Sequence, residues 1–179
     1  MFVVAGTGHR PAKIVVGQLN AYDNRVFRGL VDFAITQLEA LAPDFMISGM
    51  ALGWDQAIAQ ACVETGIPFI AAVPHKGQES QWPEKAQRQY HHLLGQATQK
   101  RVVSDGYYSP AKLHIRNQFM VDNATRVLAL WDGSEGGTSS CVRYAESVKV
   151  PVTNCWPAWM LYSGARAHTP TEDACRPAN

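Results

Sequence analysis

In 128-LALWDGSEGGTSSCVRYAESV-148 an apolar run stops at an acid, Asp132. A cluster rich in Gly, Ser and Glu follows, and a helical pattern starts at or just after Gly136-Gly137-Thr138. Apolar run, glycine turn and helix in that order are the sequence form of a buried strand feeding a crossover helix. Two glycines and a threonine at such a junction let a partner approach the backbone closely. The helix start then offers N–H donors and a hydroxyl to an anion. A cap by Ser134 or Thr138 is the plain structural alternative.

The same alternation recurs along the chain. Short apolar runs stand at Phe2–Ala5, Phe45–Ile47, Phe69–Val73, Arg101–Val103, Val127–Trp131 and Val150–Cys155. Such runs fit strands buried on both faces of a sheet. Between them, Val26, Leu30, Phe33, Ala34, Leu38 and Leu41 keep to one face of a helix over about 22–41. Further helices are expected over 55–65, closed by Gly66, and over 83–94, ended by Gly95, then over 110–123 and 138–148. Strands and helices alternating at this spacing imply βαβ units. The fold class is therefore α/β: Rossmann-like and doubly wound, with a mainly parallel sheet and helices on both faces. Residues 1–156 read as one domain. Residues 157–179, with Pro157, Gly164, Pro170 and Pro177, read as a poorly ordered tail.

Composition narrows the function classes. The chain has 179 residues, 46% hydrophobic and 17% charged, as expected of a soluble globular domain with a sizeable core. A formal net charge of +1 gives no electrostatic case for a nucleic-acid partner. Cys62, Cys141, Cys155 and Cys175 form no CxxC pair and read as reduced thiols of a cytoplasmic protein. No basic segment precedes the apolar first residues, so no signal peptide is expected. No apolar run approaches the roughly 18 residues of a membrane span. His75, His91 and His92 have no metal-ligand spacing, and no motif calls for a cofactor. A homodimer or larger homo-oligomer stays open.

In open α/β sheets ligands bind at the carboxyl ends of the strands, so the chemistry is sought at the strand exits. At the first, 6-GTGHRP-11, Gly6, Thr7, Gly8 and His9 can form a nest of N–H groups, and Arg10 adds charge for a phosphate. The spacing is not GxGxxG, and a tight turn explains it equally well. At the second, 48-SGMALGWDQ-56, the loop Ser48, Gly49, Met50 and Ala51 leads to a helix start near Asp55. Asp55 can cap that helix or accept from ribose hydroxyls. Inside the fourth helix, 113-LHIRNQFM-120 carries Arg116 and Asn117. An arginine on a helix's polar face is ordinarily solvated. The last exit is the opening stretch, with Asp132, Glu135, Gly136, Gly137 and Thr138. Three glycine-rich exits on one sheet edge describe a cleft of N–H donors suited to a nucleotide phosphate. No GxxxxGK[ST] occurs, which argues against ATP-type phosphoryl transfer.

Taken in order, GTGHR, SGMALGWD, RNQFMVD and WDGSEGGT with VRYA resemble the SLOG superfamily, and within it the YpsA-like branch, over about residues 1–156. The resemblance implies a Rossmann-like domain that binds nucleotides or nucleotide-derived ligands. Residues 113–120 are also similar to the MHxRKxxM motif of the lonely-guy nucleoside 5′-monophosphate phosphoribohydrolases, with Arg116 in register. Their GGxGTxxE motif is matched less fully, because Cys141 stands where the family has a glutamate. The resemblance implies ligand contact by Arg116, and it gives the arginine and that glutamate roles in cleaving an N-glycosidic bond.

Two functions follow from different classes. The first is a module that holds a nucleotide, an ADP-ribose-type compound or a cyclic signalling nucleotide without turning it over. The second is an N-glycosidase that releases the base from a nucleoside 5′-monophosphate through an oxocarbenium-like transition state. Arg116 would then hold phosphate or ribose, with Glu135 as the carboxylate and Asp132 and Asp55 as alternatives. Cys141 in place of the family's glutamate ranks binding first.

Overall fold

The structure is a computed structural model that describes residues 1–167. β1 (Val3–Gly8) leads through a 3-10 turn at Pro11–Lys13 and a hairpin, β2 (Val15–Val16) and β3 (Leu19–Asn20), into α1 (Asn24–Leu41). Then come β4 (Phe45–Ser48), α2 (Trp54–Thr65), β5 (Phe69–Val73), α3 (Glu84–Gln96), β6 (Gln99–Val102) and α4 (Pro110–Asp122). β7 (Arg126–Leu130), α5 (Gly137–Ser147), β8 (Val152–Asn154) and α6 (Trp156–Ala167) complete the order. Six strands form one parallel sheet in the order β6-β5-β4-β1-β7-β8. The expected Rossmann-like doubly wound fold is thus present.

Strand periodicity divides the core in two. Val4, Met46, Ala71 and Leu128 face one side, where they meet Leu30, Phe33, Ile58 and Trp159. Their neighbours Ala5, Ile47, Ala72 and Val127 face the other and meet Met120 and Val121 of α4 and Cys141, Val142 and Ala145 of α5. Burial on both faces is why the central strands read as continuous apolar runs. Each fully buried Leu, Ile or Phe contributes about 1.5–3 kcal/mol, so these two layers fix which face every helix covers.

Helix ends follow local chemistry. Asp23 caps α1 by accepting from the Arg25 N–H at 2.9 Å. Gly66 closes α2 in the left-handed conformation at φ 74°. Pro110 occupies the first turn of α4, where its missing N–H has no role in the helix ladder.

Three expectations are corrected. Residues 157–167 belong to α6 and are not a tail; Pro157 is in the helix's first turn, where proline is tolerated, and Trp159 is 1% exposed in the core. The remaining expected tail, 168–179, and Cys175 lie outside the described residues. The fourth strand runs over Gln99–Val102 and is exposed along its whole length, because β6 is the edge of the sheet. Its Lys100 and Arg101 suit an edge that must not pair with another chain. α3 passes through Gly95 to Gln96 before it ends. Cys62, Cys141 and Cys155 are buried and free. Among the described residues, no helix is long and apolar enough to cross a membrane.

Candidate functional site

Chain order places the site. From β1 the chain works outward through β4 and β5 to β6, then crosses back to β7 on β1's other side. The order reverses between β1 and β7, the switch point at which such sheets bind ligands. Gly6 pairs with Ser48 on one side and with Leu128 on the other, so the three glycine-rich exits leave the sheet side by side.

A cleft of about 400 Å³ opens there. Its walls are Thr7, Gly8, His9 and Arg10 from the first exit, Ala51 and Asp55 from the second, Arg116 and Asn117 from α4, and Glu135, Gly136, Gly137 and Thr138 from the last. The other singled-out residues support this wall from behind. An added Cβ at Gly6 would sit 2.3 Å from Ile58 Cδ1, so this glycine lets α2 close on the sheet. The Ser48 hydroxyl donates to the Asp55 carbonyl at 2.8 Å and accepts from the Met50 N–H at 3.1 Å. Met50 is fully buried, in a left-handed turn at φ 59°. Gly49 has no side chain because Arg116 occupies that space: its Nη1 would lie 1.9 Å from an added Cβ.

Arg116 is not the solvated arginine that a polar helix face suggests; it is 7% exposed. Its Nη1 donates to the Gly49 carbonyl and its Nε donates to Asn117 Oδ1 at 2.9 Å. Asn117 in turn donates to the Gly137 carbonyl at 3.2 Å, tying α4 to the start of α5. Asp55 Oδ2 lies 3.6 Å from Nη1, beyond the ~2.7–2.9 Å of a charge-assisted hydrogen bond. Burial therefore outweighs the pair's attraction at both ends. It raises the Asp55 carboxyl to about 6, with Arg116 and the Ala51 N–H pulling the other way. It also lowers Arg116, with Asp55 opposing. The result is a buried guanidinium fixed from behind beside a carboxyl that titrates near neutrality.

His9 joins three elements. Its N–H donates to the Leu130 carbonyl at 3.2 Å, and its carbonyl accepts from the Trp54 N–H at 3.2 Å. Its Nε2 stands 2.7 Å from Asp132 Oδ1 and 3.0 Å from the Asp132 nitrogen. One ring nitrogen cannot donate to the first and accept from the second at once. The shorter, charge-assisted contact is the one expected to hold, with Nε2–H as donor. Burial keeps His9 below its ordinary value against the pull of Asp132. Some burial also opposes the Asp132 charge, but Ser134 and His9 hold that carboxyl down at about 2.

Glu135 has other partners. It forms a two-pronged pair with Arg143 at 2.7 and 2.8 Å, and its side chain is 79% exposed. The carboxylate beside Arg116 is Asp55. Gly136 is the N-cap of α5 and neither Ser134 nor Thr138 caps it; the Gly136 N–H donates to the hydroxyl of Ser139 in the first turn at 3.0 Å. Cys141 is fully buried and hydrogen-bonded to Thr7, and burial pushes its thiol up to about 11.

The profile of the YspA SLOG family matches residues 4–161, which include every residue that lines this cleft. The chain belongs to that family. An uncharacterized SPbeta prophage-derived protein, YoqJ, of Bacillus subtilis strain 168 is 36% identical over 117 residues, covering 56% of this chain and 68% of YoqJ. A UPF0398 protein of Bacillus cereus is 24% identical, with 91% of this chain and 92% of the relative covered. Among solved structures, DNA processing protein A of Streptococcus pneumoniae superposes with a TM-score of 0.58 at 17% identity. It covers 84% of this chain, which spans 49% of that protein. The Helicobacter pylori DNA processing protein A, described with a single-stranded DNA binding mode, gives 0.59 at 16% identity, over 84% of this chain and 63% of that one. The molybdenum cofactor carrier protein of Chlamydomonas reinhardtii gives 0.54 at 14% identity, over 92% and 84%. At these identities the structural likenesses establish the fold alone.

In this SLOG domain, sequence reasoning overlooked Lys13, Ser134 and Leu113 of the cleft wall. Lys13 Nζ donates to the Ser134 hydroxyl at 2.5 Å and bridges the first and last exits. Its signal was a second cation three residues after Arg10, on the same side of a 3-10 turn. Leu113 reads as core from its helical spacing, and nothing local marks it as cleft wall.

Proposed function

We propose that the cleft binds a nucleotide or nucleotide derivative through its phosphate. The phosphate rests on the N–H groups of Gly137 and Thr138, where the α5 dipole favours an anion, and Arg116, Arg10 and Lys13 neutralise it. Gly137 carries this reading. Its φ lies outside the left-handed range, and a Cβ there would meet nothing within 4 Å. Neither backbone nor packing calls for glycine at 137, whereas an occupant of the space above the helix start does. A cleft of about 400 Å³ suits a small molecule better than a nucleic-acid strand. The test is a thermal-shift series with mono-, di- and cyclic nucleotides, ADP-ribose and a short single-stranded oligonucleotide. Nucleotide stabilisation that Gly137→Val removes is the expected result. No shift at millimolar concentration sinks the reading, and stabilisation by the oligonucleotide alone replaces it.

One observation favours the hydrolase as a second reading. Asp55 lines the cleft beside Arg116, and its carboxyl sits at about 6, where it can give or take a proton near neutral pH. In that reaction water adds to the anomeric carbon as the base departs with a proton. Asp55 replaces Glu135 as the acting carboxyl. Chromatography for free base after long incubation with nucleoside 5′-monophosphates decides it. Release abolished by Asp55→Asn supports hydrolysis, and no release leaves the binding module.

A further inference from the structure

A second hollow lies across a ridge from the cleft. The ridge is the first exit at Arg10–Ala12 packed on the loop at Leu52–Gly53. It is closed: the Trp54 N–H bonds the His9 carbonyl at 3.2 Å, and a Cβ at Gly53 would meet that same oxygen at 2.5 Å. Beyond it, among the starts of α1, α2 and α3, is a space of about 200 Å³. For scale, a cavity of about 150 Å³ holds a benzene ring. The walls are those of a ring site: Pro11, Phe27, Leu52 and Pro83, with Tyr22 62% exposed at the rim.

The floor carries a hydrogen-bond signal. Gln56 is 1% exposed yet lines this hollow. Its Nε2 donates to the Met50 carbonyl at 3.3 Å, and a carbonyl partner fixes which end of the amide is nitrogen. Oε1 is the end of the amide left to accept. An acceptor at the floor of a largely apolar hollow orients a ligand that can donate to it. At the rim, Asn24 accepts from Lys85 Nζ through Oδ1 at 2.8 Å, which leaves its Nδ2 to donate.

We propose that this hollow is a second binding site, taking a planar aromatic heterocycle that carries an amino group, such as an adenine-type ring. The ring lies between the prolines and Phe27, the amino group donates to Gln56 Oε1, and a ring nitrogen accepts from Asn24 at the rim. The site is separate from the phosphate cleft and does not depend on it. A ligand with both a phosphate and such a ring would have to cross the ridge at Arg10–Ala12.

The test uses equilibrium binding of adenosine, which has no phosphate, and of ribose 5-phosphate, which has no ring, to the full chain. Variants are Ala86→Leu, which fills the hollow from α3, and Gly137→Val in the cleft. Adenosine should bind wild type without competition from ribose 5-phosphate, weaken at least tenfold in Ala86→Leu, and be unaffected by Gly137→Val. N6,N6-dimethyladenosine, whose amino group cannot donate, should bind at least tenfold more weakly than adenosine. Absence of adenosine binding at millimolar concentration overturns the proposal. So does its survival in Ala86→Leu, its displacement by ribose 5-phosphate, or equal binding of the dimethyl compound. Failure of ribose 5-phosphate alone counts against the phosphate cleft and leaves this site standing.

Discussion

The first two strand exits and the last have the same composition and different reasons for it. At the first two, each glycine is occupied space: Ile58 stands over Gly6, Trp54 over Gly8, Arg116 over Gly49 and the His9 carbonyl over Gly53. At the last, Gly136 and Gly137 face nothing within 4 Å. One end of the cleft is built of glycines that let protein touch protein. At the other, Gly136 is called for by its φ of 149°, and Gly137 leaves a helix start open. A glycine-rich loop therefore marks a close approach, and the tertiary structure alone says whether the approaching group is internal or a ligand.

The comparison breaks most readily at Gly53. Its φ of 95° and the carbonyl 2.5 Å from an added Cβ leave no room for adjustment. Gly53→Ala should lower stability by about 3 kcal/mol or more, strain and overpacking together. Urea unfolding measures it, and a loss below about 1 kcal/mol would make Gly53 an ordinary turn glycine.

Asp55 comes next, through pH. Its folded-state value of about 6 lies above the ordinary 3.8, so the folded protein holds a proton that the unfolded chain releases between those values. Its stabilising contribution is whole below pH 4 and is lost as pH rises through 6. The difference amounts to roughly 3 kcal/mol for so buried a group. Asp55→Asn should flatten this part of the stability–pH curve, followed by denaturation at closely spaced pH. An unchanged slope would move the titration to another group.

Arg116→Ala should weaken nucleotide binding by about 1.5–3 kcal/mol, the range for hydrogen bonds to charged groups. Calorimetric titration reads it, and unchanged affinity would make the buried guanidinium purely structural. The smallest effect sharpens the contrast with Gly53. Gly137→Val should change stability by less than about 1 kcal/mol while binding falls at least tenfold. Unfolding of that variant, or normal binding by it, removes the distinction between the two ends.

Most of the architecture was legible because period and punctuation are local. Strands buried on both faces announce themselves as unbroken apolar runs, and Gly66 and Pro110 mark helix ends by their own backbone limits. α6 was missed because Pro157 reads as a breaker wherever it stands, although in a helix's first turn it removes no needed N–H. Of the site, the glycines, Arg10, Asp55, Arg116 and Asn117 were visible as unusual residues at strand exits or in a helix. Their partners were not. Glu135 and Asp55 were both plausible carboxylates, and only the fold pairs one with exposed Arg143 and sets the other beside buried Arg116.

The sequence by itself determined the strand–helix alternation, the carboxyl edge as the place for chemistry and the motifs that mark the family, all carried by short-range pattern. The tertiary structure decided which carboxyl loses its water, which glycines are filled and where the second hollow opens. Those outcomes depend on contacts between residues such as Gly49 and Arg116, 67 positions apart, and on the water excluded where they meet.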